Sequence, residues 1–247
     1  MGILKFFRRN AKLILTQFRQ LRGYPVETIT LGSVDYDRYW DSKRGTDFFY
    51  LSPFQKKRAK IVASYIDEGA SVLDIGCGNG AILNYLKQKR SIASHGADVS
   101  EKVVTRLSET GVKTYQIDLS QLSDSDIENL PTVDYIVALE ILEHLPNPED
   151  ILTLLTGKCR KGFIVSFPNS GYWMHRFRYL LGRFPVQWRL HPGEHLRFWT
   201  VSDAKWWLRA IRWRYSDFSV YEGIDILNKV WPSLFGMGIV MKIAPDK

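Results

Sequence analysis

The chain has 247 residues, 45% of them hydrophobic, which is enough for one α/β domain with an extension and a substantial core. Its two cysteines, Cys77 and Cys159, are too few for a disulfide framework, so we expect both to be reduced in a cytoplasmic protein. No apolar run reaches transmembrane length. Composition therefore argues against a disulfide scaffold and against a membrane-spanning protein.

The net charge of +8 is unevenly spread. Residues 1–22 contain six bases and no acid, and residues 171–214 contain nine bases and two acids. The rest of the chain is acidic by difference. Two basic regions on an acidic scaffold predict contact with an anionic partner or surface.

Residues 3–22 are predicted to form a basic amphipathic helix. The apolar positions at helical spacing are Ile3, Phe7, Ala11, Ile14, Leu15, Phe18 and Leu21. Such a helix can lie in the interface of an anionic membrane, which would make the protein peripheral on the inner face of the membrane. It can equally pack on the domain or on a partner subunit, and the pattern does not separate the two.

The segment 26–50 is rich in aromatic residues and is predicted to be irregular, either a lid over a ligand or a packing segment. Ser52 and Pro53 then supply an N-cap and a first-turn proline for a helix through about Ile66. We therefore divide the chain into an extension, 1–50, and a domain, 51–247.

A glycine-rich motif, Val72 to Gly80, predicts a buried strand, a tight turn and a helix start. Its spacing, Gly-x-Gly-x-Gly, differs from the dinucleotide fingerprint Gly-x-Gly-x-x-Gly, so pyrophosphate is not the expected ligand. Glycine permits positive φ and lets a ligand approach the backbone.

Four further segments follow at the spacing of βα units. The second strand ends at Asp98, a carboxylate that can accept hydrogen bonds from both hydroxyls of a ribose. The third ends at Asp118, which suits an adenine amino group. The fourth spans 133–139 and the fifth spans 162–169. A helix from Thr200 through about Trp213 and two β-rich stretches, 216–222 and 236–243, are predicted to complete the sheet.

Residues 170–200 interrupt this rhythm with aromatic residues and arginines. Ligands of open parallel sheets bind beyond the carboxyl ends of the strands. This insertion is therefore the predicted substrate-recognition element.

Glu140, Glu143 and His144 stand at i, i+3 and i+4 after the fourth strand. A helix there would place all three on one face. Carboxylates and imidazole suit a divalent ion such as Mg²⁺ or Mn²⁺, and His195 in the insertion can supply a further ligand. The alternative is a histidine that packs near the nucleoside without a metal.

Together these motifs resemble the class I S-adenosylmethionine-dependent methyltransferases. The resemblance implies a Rossmann-like, doubly wound, seven-stranded, mostly parallel sheet that binds S-adenosylmethionine. An α/β domain that binds another nucleoside is the alternative. The residues expected to bind the cofactor are Asp74, Gly76, Cys77, Gly78, Gly80, Asp98, Val99, Asp118, Leu119 and Leu139.

Three narrower resemblances point in different directions. The Glu-x-x-Glu-His run is similar to that of ubiquinone-pathway O-methyltransferases, and His195 with Trp199 and Thr200 is similar to small-RNA terminal 2′-O-methyltransferases. Both imply metal binding at Glu140, Glu143, His144 and His195. The segments 166–173 and 178–186 resemble MetW-like proteins, which lack an obvious Glu-x-x-Glu-His equivalent, so the run favours catalysis.

The sequence thus predicts an O-methyltransferase that acts on a hydroxyl of an anionic or membrane-associated small molecule, a saccharide or a prenyl-lipid intermediate. His195 or His144 can serve as general base where it does not bind a metal. Terminal ribose methylation of RNA and a non-catalytic, MetW-like partner role are the alternatives. The oligomeric state is left open.

Overall fold

We describe the protein from a computed structural model, which covers residues 18, 21, 23–26, 28, 49–188 and 191–246. Strands and helices alternate through most of these residues. The strands are β1 (Ser71–Ile75), β2 (Ala93–Asp98), β3 (Lys113–Gln116), β4 (Val133–Leu139), β5 (Cys159–Pro168), β6 (Trp213–Tyr221) and β7 (Gly238–Pro245). The helices are α1 (Pro53–Tyr65), α2 (Ala81–Arg90), α3 (Glu101–Ser108), α4 (Asp124–Asn129), α5 (Pro148–Leu154), α6 (Trp173–Leu180), α7 (Val201–Ala210), α8 (Leu227–Val230) and α9 (Pro232–Phe235).

Within the described residues the strands form one seven-stranded sheet in the order β3-β2-β1-β4-β5-β7-β6. β1 pairs in parallel with β2 and β4, while β7 runs antiparallel between β5 and β6. The predicted doubly wound, mostly parallel sheet is confirmed. The strand order reverses between β1 and β4, where folds of this kind bind their ligands.

The core lies on both faces of the sheet. Alternate residues of β1 belong to different apolar clusters: Leu73 packs on one face and Val72 on the other. Ile136 and Val137 of β4 are divided in the same way. The central strands are therefore mostly apolar, as expected for parallel strands covered by helices on both sides.

Several predicted boundaries agree with the structure, and that of the helix after Thr200 does not. Ser52 caps α1 by accepting a hydrogen bond from the Gln55 N–H, and the two closing strands pair with each other. The helix predicted through Trp213 is too long. It ends at Ala210, because Arg212 adopts φ +59° and Trp213 begins β6.

The amino-terminal predictions fall mostly outside the described residues. Phe18 lies edge-on to Trp173 of α6, with ring centroids 6.2 Å apart. The buried Arg178 guanidinium donates hydrogen bonds to the Leu21 and Gly23 carbonyls over 3.0 and 3.1 Å. The end of the predicted helix 3–22 thus contacts the insertion, while the membrane role and the domain boundary stay predictions. Among the described helices, none has the length and hydropathy needed to cross a bilayer.

Candidate active site

The glycine motif forms the turn between β1 and α2. The Gly76 and Cys77 N–H groups both donate to the Ala97 carbonyl of β2, at 2.8 and 3.0 Å. Gly80 caps α2 at φ +67°, and a Cβ there would lie 2.4 Å from Leu107. The turn therefore requires glycine at position 80 for its backbone conformation and for close packing.

Asp98 joins the ends of β1 and β2. Its Oδ2 accepts the Gly78 N–H at 2.9 Å and its Oδ1 accepts the Ser100 N–H at 3.1 Å. The carboxylate is buried beside the glycine turn, and the adjacent Val99 is partly exposed. This places Asp98 where a ribose was predicted to bind, and its cofactor role stays a prediction.

Asp74 is a buried acid within β1. Burial raises the pKa of its carboxyl to about 7, the charge of Arg58 opposes that rise, and the charge of Asp98 adds to it. Asp74 therefore changes charge near neutral pH, directly before the glycine turn.

The third acid is arranged differently. β3 ends at Gln116, so Asp118 lies beyond the strand, where its Oδ1 accepts the N–H and the hydroxyl of Ser120 at 2.8 and 2.6 Å. Asp118 is exposed and caps the 3₁₀ turn Leu119–Gln121. Leu119 and Leu139, the apolar residues assigned to the cofactor, are both buried.

The described end of the aromatic extension lies on the glycine turn. The Phe49 N–H donates to the Asn79 carbonyl, and the Asn79 side-chain amide donates to the Tyr50 carbonyl, both over 3.3 Å. The Phe49 ring reaches to 3.3 Å from the position of a Cβ on Gly80. The described end of the segment 26–50 thus contacts the glycine turn, and the choice between a lid and a packing segment stays a prediction, since most of the segment lies outside the described residues.

The helix predicted after β4 is absent from the described chain. Glu140 adopts φ +56°, Ile141 follows at φ −130°, and a 3₁₀ turn occupies Leu142–His144. The expectation that Glu140, Glu143 and His144 share one helix face is therefore wrong. Because Glu140 itself adopts the left-handed conformation, its side chain is turned away from those of Glu143 and His144.

The Glu140 carboxylate is held by three groups. Its Oε1 accepts hydrogen bonds from the hydroxyls of Tyr221, at 2.7 Å, and Ser166, at 2.9 Å, and lies 3.2 Å from Arg58 Nη1. Burial and then the charge of Glu140 raise the pKa of Tyr221 well above its usual range. Sequence reasoning missed Arg58 and Tyr221. One signal existed, because Arg58 stands among the buried positions of α1 with Ala59, Val62 and Ala63.

Glu143, His144 and His195 meet at the end of β4. One ligand atom from each lies within 4.8 Å of the others. The two imidazole rings are perpendicular, with centroids 4.7 Å apart. The structure thus brings together three of the four residues predicted to bind a metal, and it bonds the fourth, Glu140, elsewhere.

Two ionisable side chains of this group have shifted pKa values. Glu143 is buried and, among the described residues, neither carboxyl oxygen has a hydrogen-bond partner. Burial and then the charge of Glu140 raise the pKa of Glu143 well above its usual range. Burial and then the charge of His144 lower the pKa of His195 to about 4. Without a cation Glu143 and His195 are therefore expected to be neutral.

Backbone contacts hold the insertion against the turn after β4. The Leu196 and Arg197 N–H groups donate to the Glu143 carbonyl at 2.7 and 3.1 Å. His144 Nδ1 bonds to the Glu194 carbonyl, which fixes Nδ1 as the protonated nitrogen and leaves the lone pair on Nε2. These contacts explain how residues some 50 positions apart form one site.

Comparisons with known proteins show which family the chain resembles. The family model described as methionine biosynthesis protein MetW matches residues 56–229. A ubiquinone biosynthesis O-methyltransferase of Dechloromonas aromatica (strain RCB) is 33% identical over 183 residues, covering 70% of this chain and 76% of that relative. The bifunctional methionine biosynthesis protein MetXA/MetW of Rhodopirellula baltica is 26% identical over 162 residues, covering 58% of this chain and 25% of that protein.

A solved structure supports the fold alone. The SAM-dependent methyltransferase of Archaeoglobus fulgidus superposes with a TM-score of 0.57 at 21% identity, covering 84% of this chain and all of that one. The chain spans between a quarter and just over half the length of several curated relatives that it matches. From the family match and the sheet, the chain belongs to the MetW family, within the class I S-adenosylmethionine-dependent methyltransferases.

Proposed function

We propose that this protein is an S-adenosylmethionine-dependent O-methyltransferase, assisted by a divalent cation. Its acceptor is a hydroxyl of an anionic or membrane-associated small molecule, a saccharide or a prenyl-lipid intermediate. The observation that carries the proposal is the group of buried Glu143 with the partly buried His144 and His195 at the end of β4, beside the switch point of the sheet.

The chemistry of this group fits a divalent cation. A buried carboxyl without a hydrogen-bond partner is costly, and a bound cation removes that cost. Glu143, His144 and His195 would hold the ion, because their donor atoms lie within 4.8 Å of one another. His144 donates its other ring N–H to a backbone carbonyl, as metal-binding histidines commonly do.

The cofactor would lie over the glycine turn. Gly76, Cys77, Gly78 and Gly80 shape the turn, and Asp98, whose carboxylate accepts two backbone N–H groups there, is the residue that would bind the ribose hydroxyls. Phe49 packs on the turn, with its ring near Gly80.

Methyl transfer from a sulfonium is an in-line displacement, so the chain must hold the acceptor oxygen close to the methyl carbon. A bound divalent cation supplies Lewis-acid stabilisation that lowers the pKa of the hydroxyl. With its pKa lowered to about 4, His195 is a weak base. Ligation therefore suits His195 better than proton removal, although the sequence suggested both roles.

The two basic regions support an anionic or membrane-presented acceptor. The insertion carries one of them, and the described end of the extension packs on it through Phe18 and Arg178. Attraction to an anionic surface would bring the site to a lipid-linked substrate. This corresponds to a cytoplasmic protein that attaches peripherally.

Methyl transfer to components of a cell extract tests the proposal. With a labelled methyl donor, the protein is expected to label a small molecule, and EDTA should abolish labelling. Glu143→Gln should lower the rate at least about 100-fold, while Glu109→Gln, at an exposed position, should match the wild type. Equal rates for Glu143→Gln and the wild type, with and without EDTA, would remove the cation from the proposal.

A second candidate function follows from the family match. MetW-like proteins are associated with methionine biosynthesis, and the bifunctional relative joins MetXA and MetW in one chain. The protein would then bind the cofactor and regulate another enzyme. Co-purification with an acyltransferase, together with cofactor binding and no labelled acceptor, would favour this role.

Strongly salt-dependent RNA binding would instead favour terminal ribose methylation, which stays a prediction.

A further inference from the structure

His195 lacks the hydrogen bond that orients the other histidine of the site. His144 is held by the bond between its Nδ1 and the Glu194 carbonyl. His195 Nδ1 is buried, and it has no hydrogen-bond partner in the part of the chain that the structure describes. Histidines that bind metals are almost always oriented by a bond of this kind. The direction of the His195 ring therefore depends on the side chains packed against it.

Aromatic rings supply that packing. The ring centroids of His195 and Phe198 are 6.3 Å apart, and the Phe198 ring lies edge-on to Phe184 over 5.2 Å. Phe184 in turn lies edge-on to Tyr179 of α6 over 5.4 Å. We call Tyr179, Phe184 and Phe198 the aromatic row. Phe184 is 55% exposed and Phe198 37%, so burial alone holds the row weakly. The row can fix His195 only where its backbone is anchored.

Arg178, in the last turn of α6, anchors the row at Phe184. Arg178 is 1% exposed, and its Nε donates a hydrogen bond to the Phe184 carbonyl over 2.9 Å. Its Nη1 donates to the Leu21 and Gly23 carbonyls of the extension over 3.0 and 3.1 Å. A guanidinium presents its donors in a rigid planar fork, which suits a group that bridges two segments. One buried side chain thus ties α6 and the amino-terminal extension to the backbone of Phe184.

Tyr24 packs the extension around the same guanidinium. Its ring centroid lies 5.3 Å from the Arg178 guanidinium and 5.7 Å from that of Arg183. The Tyr24 ring also stacks on Trp188, with centroids 6.3 Å apart. Contacts of a cation with an aromatic face within about 6 Å are favourable. The extension and the anchor of the aromatic row are therefore expected to be stabilised together.

We propose that Arg178 is a positioning residue for the cation site. By tying the extension to the Phe184 backbone, Arg178 fixes the aromatic row against which His195 packs, and so keeps the His195 ring within reach of Glu143 and His144. The inference links the amino-terminal extension to the site, and it rests on the proposed function only for the cation. Detachment of the extension would accordingly weaken cation binding.

NMR of the cation-free full chain tests the positioning without turnover. The ring protons of His195 should have resonances shifted by the neighbouring rings of Phe198 and His144, and His195→Asn assigns these resonances by removing them. In Arg178→Met they should move about halfway or further toward their positions in the urea-unfolded chain. Resonances that stay in place in folded Arg178→Met would overturn the inference.

Arg176→Met is the matched control. It also removes one positive charge from α6, but the Arg176 Nε donates to the Gly171 carbonyl and not to the extension. The His195 resonances of this variant should match those of the wild type. Circular dichroism and cofactor binding verify that each variant is folded.

Mn²⁺ titration followed by electron paramagnetic resonance measures the consequence for the cation. Partners that orient metal ligands typically contribute 10–100-fold to affinity, so Arg178→Met should weaken Mn²⁺ binding at least about tenfold. Spin-echo modulation from imidazole nitrogen should report two histidines in the wild type and one in Arg178→Met. Tyr24→Ala, which loosens the extension and keeps the bond to Phe184, should weaken binding about threefold.

A double variant tests the route. Phe184→Leu removes the ring and keeps the backbone bond from Arg178, so it should weaken Mn²⁺ binding about as much as Arg178→Met. Combining the two should then add little, whereas losses that multiply would refute a route through the aromatic row.

The two measurements separate this inference from the proposed function. If the wild type binds no Mn²⁺ while the His195 resonances move in Arg178→Met, the positioning stands and the proposed cation fails. If Mn²⁺ binds equally well to the wild type and to Arg178→Met, the cation stands and the inference fails.

Discussion

The buried acid in β1 should make the stability of the domain depend on pH. Asp74 is buried in the apolar interior of the sheet, and its pKa rises from 3.8 to about 7, mainly through burial. Replacing it with asparagine keeps the shape of the side chain and removes the charge. We expect Asp74→Asn to remove the part of the pH dependence of unfolding that comes from the Asp74 carboxyl.

Proton linkage determines whether the free energy of unfolding rises or falls with pH. Between pH 3.8 and about 7, the folded state holds the Asp74 proton and the unfolded state has lost it. The free energy of unfolding therefore falls as pH rises, by about 1.4 kcal/mol per pH unit. Over the full interval this amounts to about 4 kcal/mol, and between pH 5 and pH 8 to about 2–3 kcal/mol.

Urea unfolding of both proteins at pH 5, 6, 7 and 8 measures the effect. The stability of Asp74→Asn relative to the wild type should increase by about 2–3 kcal/mol from pH 5 to pH 8. A stability difference that is the same at every pH would show that Asp74 is ionised throughout. That result would refute the burial argument.

Three further predictions concern packing around the site. In the same urea assay, Gly80→Ala should lower the free energy of unfolding by about 3 kcal/mol, because it adds backbone strain and a steric clash. Gly111→Ala is the control: position 111 has space for a methyl group, so this variant should lower the free energy of unfolding by only about 1 kcal/mol. Arg58→Met should lower the free energy of unfolding by about 3 kcal/mol, because it leaves the Glu140 carboxylate without the guanidinium that pairs with it. Adding Glu140→Gln to this variant should recover most of that loss. A double-mutant cycle that shows no coupling between the two positions would contradict this. Arg178→Met should speed amide exchange at Leu21, Gly23 and Tyr24 about tenfold and leave the sheet unaffected, and unchanged exchange there would disprove the docking contact.

The fold was largely predictable because its signals are local. The apolar run before the glycine turn and the acid at the end of the next segment, Asp98, identify two parallel strands, and Ser52 with Pro53 identifies the start of α1. The end of α7 was missed because it depends on a left-handed Arg212, a conformation that side chains other than glycine seldom adopt.

The site was less predictable because it depends on long-range contacts. Helical spacing wrongly grouped Glu140 with Glu143, since nothing in the sequence marks the positive φ at position 140. His195 was found through its resemblance to known motifs, and the bonds from its neighbours to the Glu143 carbonyl explain its position.

Binding of Mn²⁺ to the full chain, followed by electron paramagnetic resonance, tests the central claim most directly. One Mn²⁺ per chain is expected to bind, with affinity reduced at least about 100-fold in Glu143→Gln and His195→Asn and unchanged in Glu109→Gln. Equal affinity in all four proteins, or no binding by the wild type, would contradict a cation site formed by Glu143, His144 and His195.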